Sequence, residues 1–477
     1  MMNFYGKLKS SKPVDAVRKF ISSEFFPFLT AAVVMGCYFM GWDLVSIYFL
    51  GLTGAFILLF HDDLTPLIAN VVFMNVIISE QNSPSPDGPT GASDYFFRRD
   101  VLAQAGIVVA IAGCALIFRL VLMFRQKRFK PTPMLYGFCG LCAAFLLNGL
   151  FIKEYDPLNF VYGLLLTFFF LIAFLLFKDN LKISGKNFKY IAWTFVALSA
   201  LLIIELIEEY LTVENLFVDG VINRGKILFG WGVYNVYGML IVLCIPPVLY
   251  LAGKYKYGFV LTIYSAFVVL ASLACTSRQA MICSAVLYPV CIIILLIKGK
   301  NKNANFAAVG GLLLICAVIT GVFSEFIYVN VKKIFDNVFI DGALNGSGRW
   351  RLWKAGWNAF ISAPVFGRGF FDLTDGRNAS GLGIIPIMYH NTFIELLAAC
   401  GFVGFAAYGV HRAQTVLSYF KRITVDRTFI VLTISALLMT SLLDNHIFYL
   451  IPSCFYTILV SVLVGSEKKH KTMLKYA

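Results

Sequence analysis

Apolar runs of roughly 17–25 residues, separated by short polar links, set the terms on which this chain can fold. A helix needs about 20 residues to cross about 30 Å of hydrocarbon. Inside lipid every backbone polar group must be satisfied within its own segment, so the runs are helices. They are continuously apolar and lack strand alternation, which argues against a membrane β-barrel. Only 14% of the 477 residues are charged, against about 25% in soluble domains. The sequence therefore predicts an all-α polytopic membrane protein. Runs start near residues 25, 44, 66, 101, 131, 158, 190, 231, 258, 279, 305, 393, 428 and 447, giving about 12–14 transmembrane helices. Residues 1–328 form a transmembrane region of about 11 spans, residues 329–392 one long extracytoplasmic loop, and residues 393–477 the C-terminal transmembrane helices with a basic cytoplasmic tail.

The formal net charge of +14 would suit a nucleic-acid binder, but the cations sit in the links between runs. With the N-terminus in the cytoplasm, an even number of spans returns the C-terminus there. Of the 40 lysines and arginines, 26 then lie in cytoplasmic segments and 13 outside. Arg119 falls within a run, near its cytoplasmic end, where it can snorkel. Short outer links are nearly free of cations, as the positive-inside rule asks. Ten of the 13 outer cations fall in two places, 224–278 and 329–392. The partners expected are membrane lipids and not nucleic acid. No cleavable signal peptide is expected, because the first twenty residues are basic and polar and the first apolar run is long enough to stay as an anchor. All eleven cysteines fall in or near runs, which argues against a disulfide framework. The CxxC of Cys139 and Cys142 reads as small-residue helix packing.

Several stretches carry no chemistry. Residues 80–100 are a Pro/Gly/Ser-rich loop. "GVINRGKI" nearly matches a P-loop, but Ile227 replaces the Ser/Thr that would hold magnesium, and no strand precedes it. "HDDL" at 61–64 holds three potential ligands but reads as a solvated cytoplasmic turn. No metal-site spacing and no cofactor motif is found. The first outer link, "GWD", offers only Asp43 where a metal-dependent membrane glycosyltransferase would want paired carboxylates.

The long link is different. "GSGRWRLWKAGWNAF", residues 346–360, packs three tryptophans and three cations together. Residues 348–362 read as a helix with Trp350, Trp353, Trp357, Phe360 and Ile361 on one face and Arg351, Lys354 and Asn358 opposite. Such a helix lies flat in the membrane interface. Ser347 suits its N-cap, and Pro364, Gly367 and Gly369 end it. His390, one of five histidines, then stands at the mouth of the next span.

Arginine presents a rigid fork of donors that matches phosphate oxygens. Arg278 opens a span after "CTS", Arg349 opens the interfacial helix, and Arg224 precedes another span near Asn235. The tryptophan face, Trp353 included, suits a lipid tail or a sugar ring. Together they suit a lipid-linked phosphate or pyrophosphate, although each arginine alone would serve equally as a helix-end anchor. His390 exchanges protons near neutral pH and would serve as a base beside a sugar hydroxyl, or else be a histidine satisfied at a helix start. Asn391 caps the helix or orients an acceptor. Glu395, one turn deeper, is a buried partner for an arginine or part of the base system. His446 in "LLDNH" is a rival base.

"SGRWRLWKAGWNAFISAPVFGRGF" followed by "HNTFIELLAACGFVGFAAYG" resembles the O-antigen ligase and polymerase superfamily, the Wzy_C-type membrane proteins. "TSRQAMICSAVL" is similar to that family's arginine-bearing helix, and "FGWGVYNVYGMLI" to its asparagine-containing helix start. The similarity covers about residues 220–410. The resemblance implies a GT-C-like fold and a metal-independent, inverting glycosyl transfer from a glycan on polyprenyl, usually undecaprenyl, pyrophosphate. It implies a site at the outer face of the bacterial cytoplasmic membrane, without a cofactor. His390 would activate the hydroxyl of a glycan or lipid acceptor. Arg278 and Arg349 would hold the pyrophosphate, with Arg224 a further candidate. The alternative function is a polyprenyl-linked oligosaccharide flippase, which would carry charge within the bundle and show two related halves.

Overall fold

The computed structural model describes residues 2–77, 99–126, 131–153, 155–218, 221–223, 226–229, 232–336, 339–340, 343–344, 349–371 and 389–473. It is helical, as the apolar runs require. Among the described residues, nine helices are long and apolar enough to cross a membrane. A tenth span arises if Lys12–Ile21 and Phe26–Met40, bent by 80°, count as one. Each run start read from the sequence falls within a few residues of a helix start. Four of these helices, Leu67–Val76, Pro133–Leu146, Phe259–Ala274 and Leu450–Ser466, have only 10–17 residues. Ten residues of helix rise about 15 Å, half the hydrocarbon thickness, so apolar composition at Leu67–Val76 reports burial and not a full crossing. Among the described residues, extended structure is confined to two-residue antiparallel pairings, such as Phe217–Val218 with Val221–Ile222.

The chain divides into two compact units, residues 1–129 with 179–316, and residues 130–178 with 317–477. In the first, Tyr234–Lys254 is the central helix, and Tyr237 and Met239–Ile245 are fully buried. Gly185–Thr212, Phe259–Ala274 and Arg278–Lys298 pack around it.

The "HDDL" turn of this unit is not the solvated turn its composition suggests. His61 is buried, and Arg119, only 4% exposed, is bound internally instead of snorkelling. Arg119 Nη1 donates to the His61 carbonyl at 2.8 Å, and Nη2 donates to Asn180 Oδ1 at 2.7 Å. Asp63 accepts from Thr65 Oγ1 (2.7 Å), the Lys182 N–H (3.1 Å) and Asn187 Nδ2 (2.6 Å). Asp62 turns the other way and pairs with Lys9 at 2.5 Å and Arg18 at 3.5 Å from the N-terminal helices. A buried guanidinium must find acceptors; the turn supplies them, so its polar residues fasten helices. Burial pushes the His61 imidazole down to about 4, so it stays neutral.

The second unit is organised by helix Thr392–Phe420, which breaks at Gly401 (φ 63°, ψ −161°). The segment after the interfacial helix lies along the break and satisfies the freed backbone groups. Phe402 N donates to the Pro364 carbonyl at 2.8 Å, Arg368 N to Ala398 at 2.7 Å and Gly369 N to Ala399 at 3.0 Å. The turn that ends one helix therefore repairs the kink of the next, a usual way to tolerate broken helices at membrane depth. A Cβ on Gly401 would lie 2.4 Å from the Val365 carbonyl oxygen, in a left-handed conformation. Gly401→Ala should cost about 1–3 kcal/mol or more, read as a lowered melting temperature of the purified protein. An unchanged melting temperature would place the strain elsewhere.

Candidate active site

The helix expected in the long link is present as Arg349–Ser362; Ser347, its expected N-cap, lies outside the described residues. It docks through small residues. Ala355, Ala359 and Ile394 pack against Tyr389 and Ala398. Gly356 is buried so closely that a Cβ there would meet Ile394 Cγ2 at 2.4 Å. With this face spent on packing, Trp350, Trp357 and Ile361 remain exposed. Part of the tryptophan face is therefore left uncovered. Trp350 and Trp353 meet edge to face, their centroids 6.3 Å apart.

This helix holds the approach to His390. His390 takes φ 51°, a left-handed conformation unusual for a residue with a side chain. Its neighbours fix it there. Glu395 is buried and accepts the Tyr389 N–H at 2.8 Å, and it also accepts from Asn445 Nδ2. Asn391 Oδ1 caps the helix, accepting from Phe393 N (3.0 Å) and Ile394 N (3.2 Å), while its Nδ2 donates to the Leu442 carbonyl at 3.1 Å. Thr392 Oγ1 donates to the Ser441 carbonyl at 2.6 Å. The start of one helix is thereby laced to the end of helix Val425–Leu443, where Asp444 begins the next turn.

The outcome is a histidine–aspartate pair. His390 Nδ1 lies 2.8 Å from Asp444 Oδ1, with side-chain exposures of 34% and 4%. Burial alone would raise the Asp444 carboxyl, but the bond from His390 and the nearby His446 and Asn445 groups hold it down at about 2. An ionised carboxylate accepts only, so Nδ1 carries the proton and Nε2 keeps its lone pair. The half-exposed ring is thus the tautomer a general base needs.

His446, the rival base, is fully buried and stacks edge-on against Tyr449. Burial, opposed by Asp444 and reinforced by the charges of His390 and Arg349, pushes its imidazole down to about 4. Arg349, His390 and Asp444 therefore all bear on His446 electrostatically. Within the second unit, the structure gathers His390, Asn391, Glu395 and Arg349 with Asp444, which the sequence reading passed over.

In the first unit, Asn235 and the Arg278 helix start are joined. Ser277, the N-cap residue, donates from Oγ to Asn235 Oδ1 at 3.0 Å, and Gln279 Nε2 donates to the Asn235 carbonyl at 2.8 Å. Thr276 takes φ 57°. Thr276 precedes the Arg278 helix as His390 precedes helix Thr392–Phe420, each a left-handed residue that turns the chain sharply into a helix. Arg224 lies outside the described residues.

The Wzy_C family model, O-Antigen ligase, matches residues 260–409. The chain carries an O-antigen ligase family domain. No curated protein matches the chain. The matched Wzy_C domain holds Arg278, Arg349, Trp353, His390, Asn391 and Glu395; Asn235 and Asp444 lie outside it. Among the described residues no group of three or more His, Cys, Asp or Glu is arranged to hold a metal.

Proposed function

We propose that this membrane protein transfers or polymerises a glycan carried on polyprenyl pyrophosphate, undecaprenyl in a bacterial cytoplasmic membrane, at the extracytoplasmic face, in cell-surface polysaccharide synthesis. The observation that carries the proposal is the His390–Asp444 pair at 2.8 Å beside a helix start of the family domain. His390 Nε2 takes the proton of the acceptor hydroxyl. The acceptor oxygen bonds to the anomeric carbon from the face opposite the leaving group. The bond between that carbon and the phosphate oxygen breaks, its electron pair leaves with the lipid pyrophosphate, and the anomeric configuration inverts. Arg278 and Arg349, with Arg224, neutralise the charge that builds on the pyrophosphate, which lowers the barrier only because this charge is greater in the transition state. Asn235 fixes the start of the Arg278 helix. Trp353 and its face place the lipid head. No metal enters this scheme.

The test is incubation of the purified protein with a polyprenyl-pyrophosphate glycan and identification of the products. Longer lipid-linked chains indicate polymerisation, and transfer to a separate acceptor indicates ligation. Unchanged donor with either acceptor class would refute the proposal. Arg278→Lys keeps the charge and loses the fork; it should lower transfer about tenfold or more. Full activity in that variant would remove the paired contact to phosphate oxygens.

A further inference from the structure

We propose that the cavity between the turn at 150–153 and the segment 362–368 seats the phosphate headgroup of an anionic phospholipid, with Lys153 and Arg368 as its cationic rim. The cavity, within the second unit, holds about 410 Å³. Its walls are apolar, with Phe151, Pro364, Val365 and Phe366 prominent, and Lys153, Arg368 and Ser362 supply the polar groups. Among the described residues no carboxylate or carboxamide side chain lines it. A sugar site would need such groups to bond hydroxyls in both directions; two cations over an apolar wall instead match a phosphate with a hydrocarbon tail.

The floor of the cavity is rigid. Gly149 N donates to the Phe366 carbonyl at 3.0 Å, and the 364–369 segment is bonded to the break at Gly401. Arg368 Nη1 donates to Ser362 Oγ at 3.3 Å, which holds the guanidinium at the rim. Phe151 stands 83% exposed at φ 74°, its ring 5.6 Å from that of Phe366. An aromatic side chain held out in that conformation has little to gain from water.

The depth also fits a lipid headgroup. Helix Pro157–Lys178, long enough to cross, begins a few residues after Lys153, so Lys153 stands at the end of a candidate span. Free phosphate would satisfy the cations but leave Phe151 and Val365 bare, which favours the lipid as the source of the anion.

The test reads lipid retention and not transfer, so it stands apart from the glycosyltransferase proposal. The full-length protein is equilibrated with mixed phosphatidylcholine and phosphatidylglycerol vesicles, re-extracted, washed, and its bound lipid counted by mass spectrometry. Two cations at a membrane surface predict a preference for phosphatidylglycerol of about thirtyfold. Lys153→Glu with Arg368→Glu should abolish the preference, and Lys153→Arg should keep it. Should the double variant fail to fold, Lys153→Glu alone, on an exposed side chain, should still reduce it severalfold. Millimolar inorganic phosphate should not displace the lipid. The proposal is overturned by no preference in the unmodified protein, by undiminished preference in the glutamate variants, or by displacement with inorganic phosphate, which would mark a site for the free anion.

Discussion

Alanine at His390 should lower glycan transfer about 10²–10⁴-fold while the protein remains folded in the membrane. The size follows from the role: without an acceptor for the hydroxyl proton, attack on the anomeric carbon must generate an oxonium. Folding should survive because His390 is part exposed, and the helix start is held by Asn391, Thr392 and Glu395 without it. A smaller cost falls on Asp444, which loses a partner while still buried and keeps the Asn445 N–H at 2.9 Å. The sign of that cost can be checked by pH. Asp444 is held at about 2, below about 3.9 in an unfolded chain. Its contribution to stability is therefore present above about pH 4 and lost as pH falls towards 2. His390→Ala raises the folded value and removes part of that contribution at neutral pH. Transfer at the unmodified rate by a well-folded His390→Ala protein would take His390 out of the chemistry.

Much of this was legible in the sequence, and the gaps have physical causes. Apolar run length gave the helices, because lipid leaves the backbone no other way to satisfy its polar groups. It overstated Leu67–Val76, since hydropathy measures burial in protein and in lipid alike. His390 stood out as a lone titratable group at a helix mouth. Asp444 did not, because its partner is 54 residues away and nothing local in "LLDNH" says that the aspartate faces outward to His390 while His446 is buried. The tryptophan helix was legible by its period, but its docking face of Ala355, Gly356 and Ala359 was not. Small residues carry no hydropathy signal and matter only through how closely a neighbour approaches. "HDDL" was misread because a polar turn and a buried polar hub have the same composition; the partners Arg119, Asn180 and Asn187 come from distant segments.

Asp444→Asn tests the pair from its other side and should be nearly as damaging, about 10²–10⁴-fold in kcat. The substitution keeps size and shape, so packing around the 444–449 turn should hold. What changes is the proton. His390 Nδ1 and the Asn445 N–H both bond Asp444 Oδ1, so the asparagine either keeps its oxygen there, with both bonds but without the negative charge that stabilises an imidazolium, or flips its amide N–H to that position and loses the bond from Asn445. In the second arrangement Nδ1 becomes an acceptor, the ring proton moves to Nε2, and no lone pair faces the acceptor hydroxyl. KM for the donor should move little, since the arginines and not this pair hold the pyrophosphate. The loss in kcat at little-changed KM separates this from a merely structural role. In the unmodified protein Asp444 titrates near 2 and His446 near 4, so from about pH 5 to 8 neither contributes. The kcat loss in the variant is therefore measured within that range, where neither of these groups changes charge. A variant within threefold of the unmodified kcat would show that Asp444 only packs the turn.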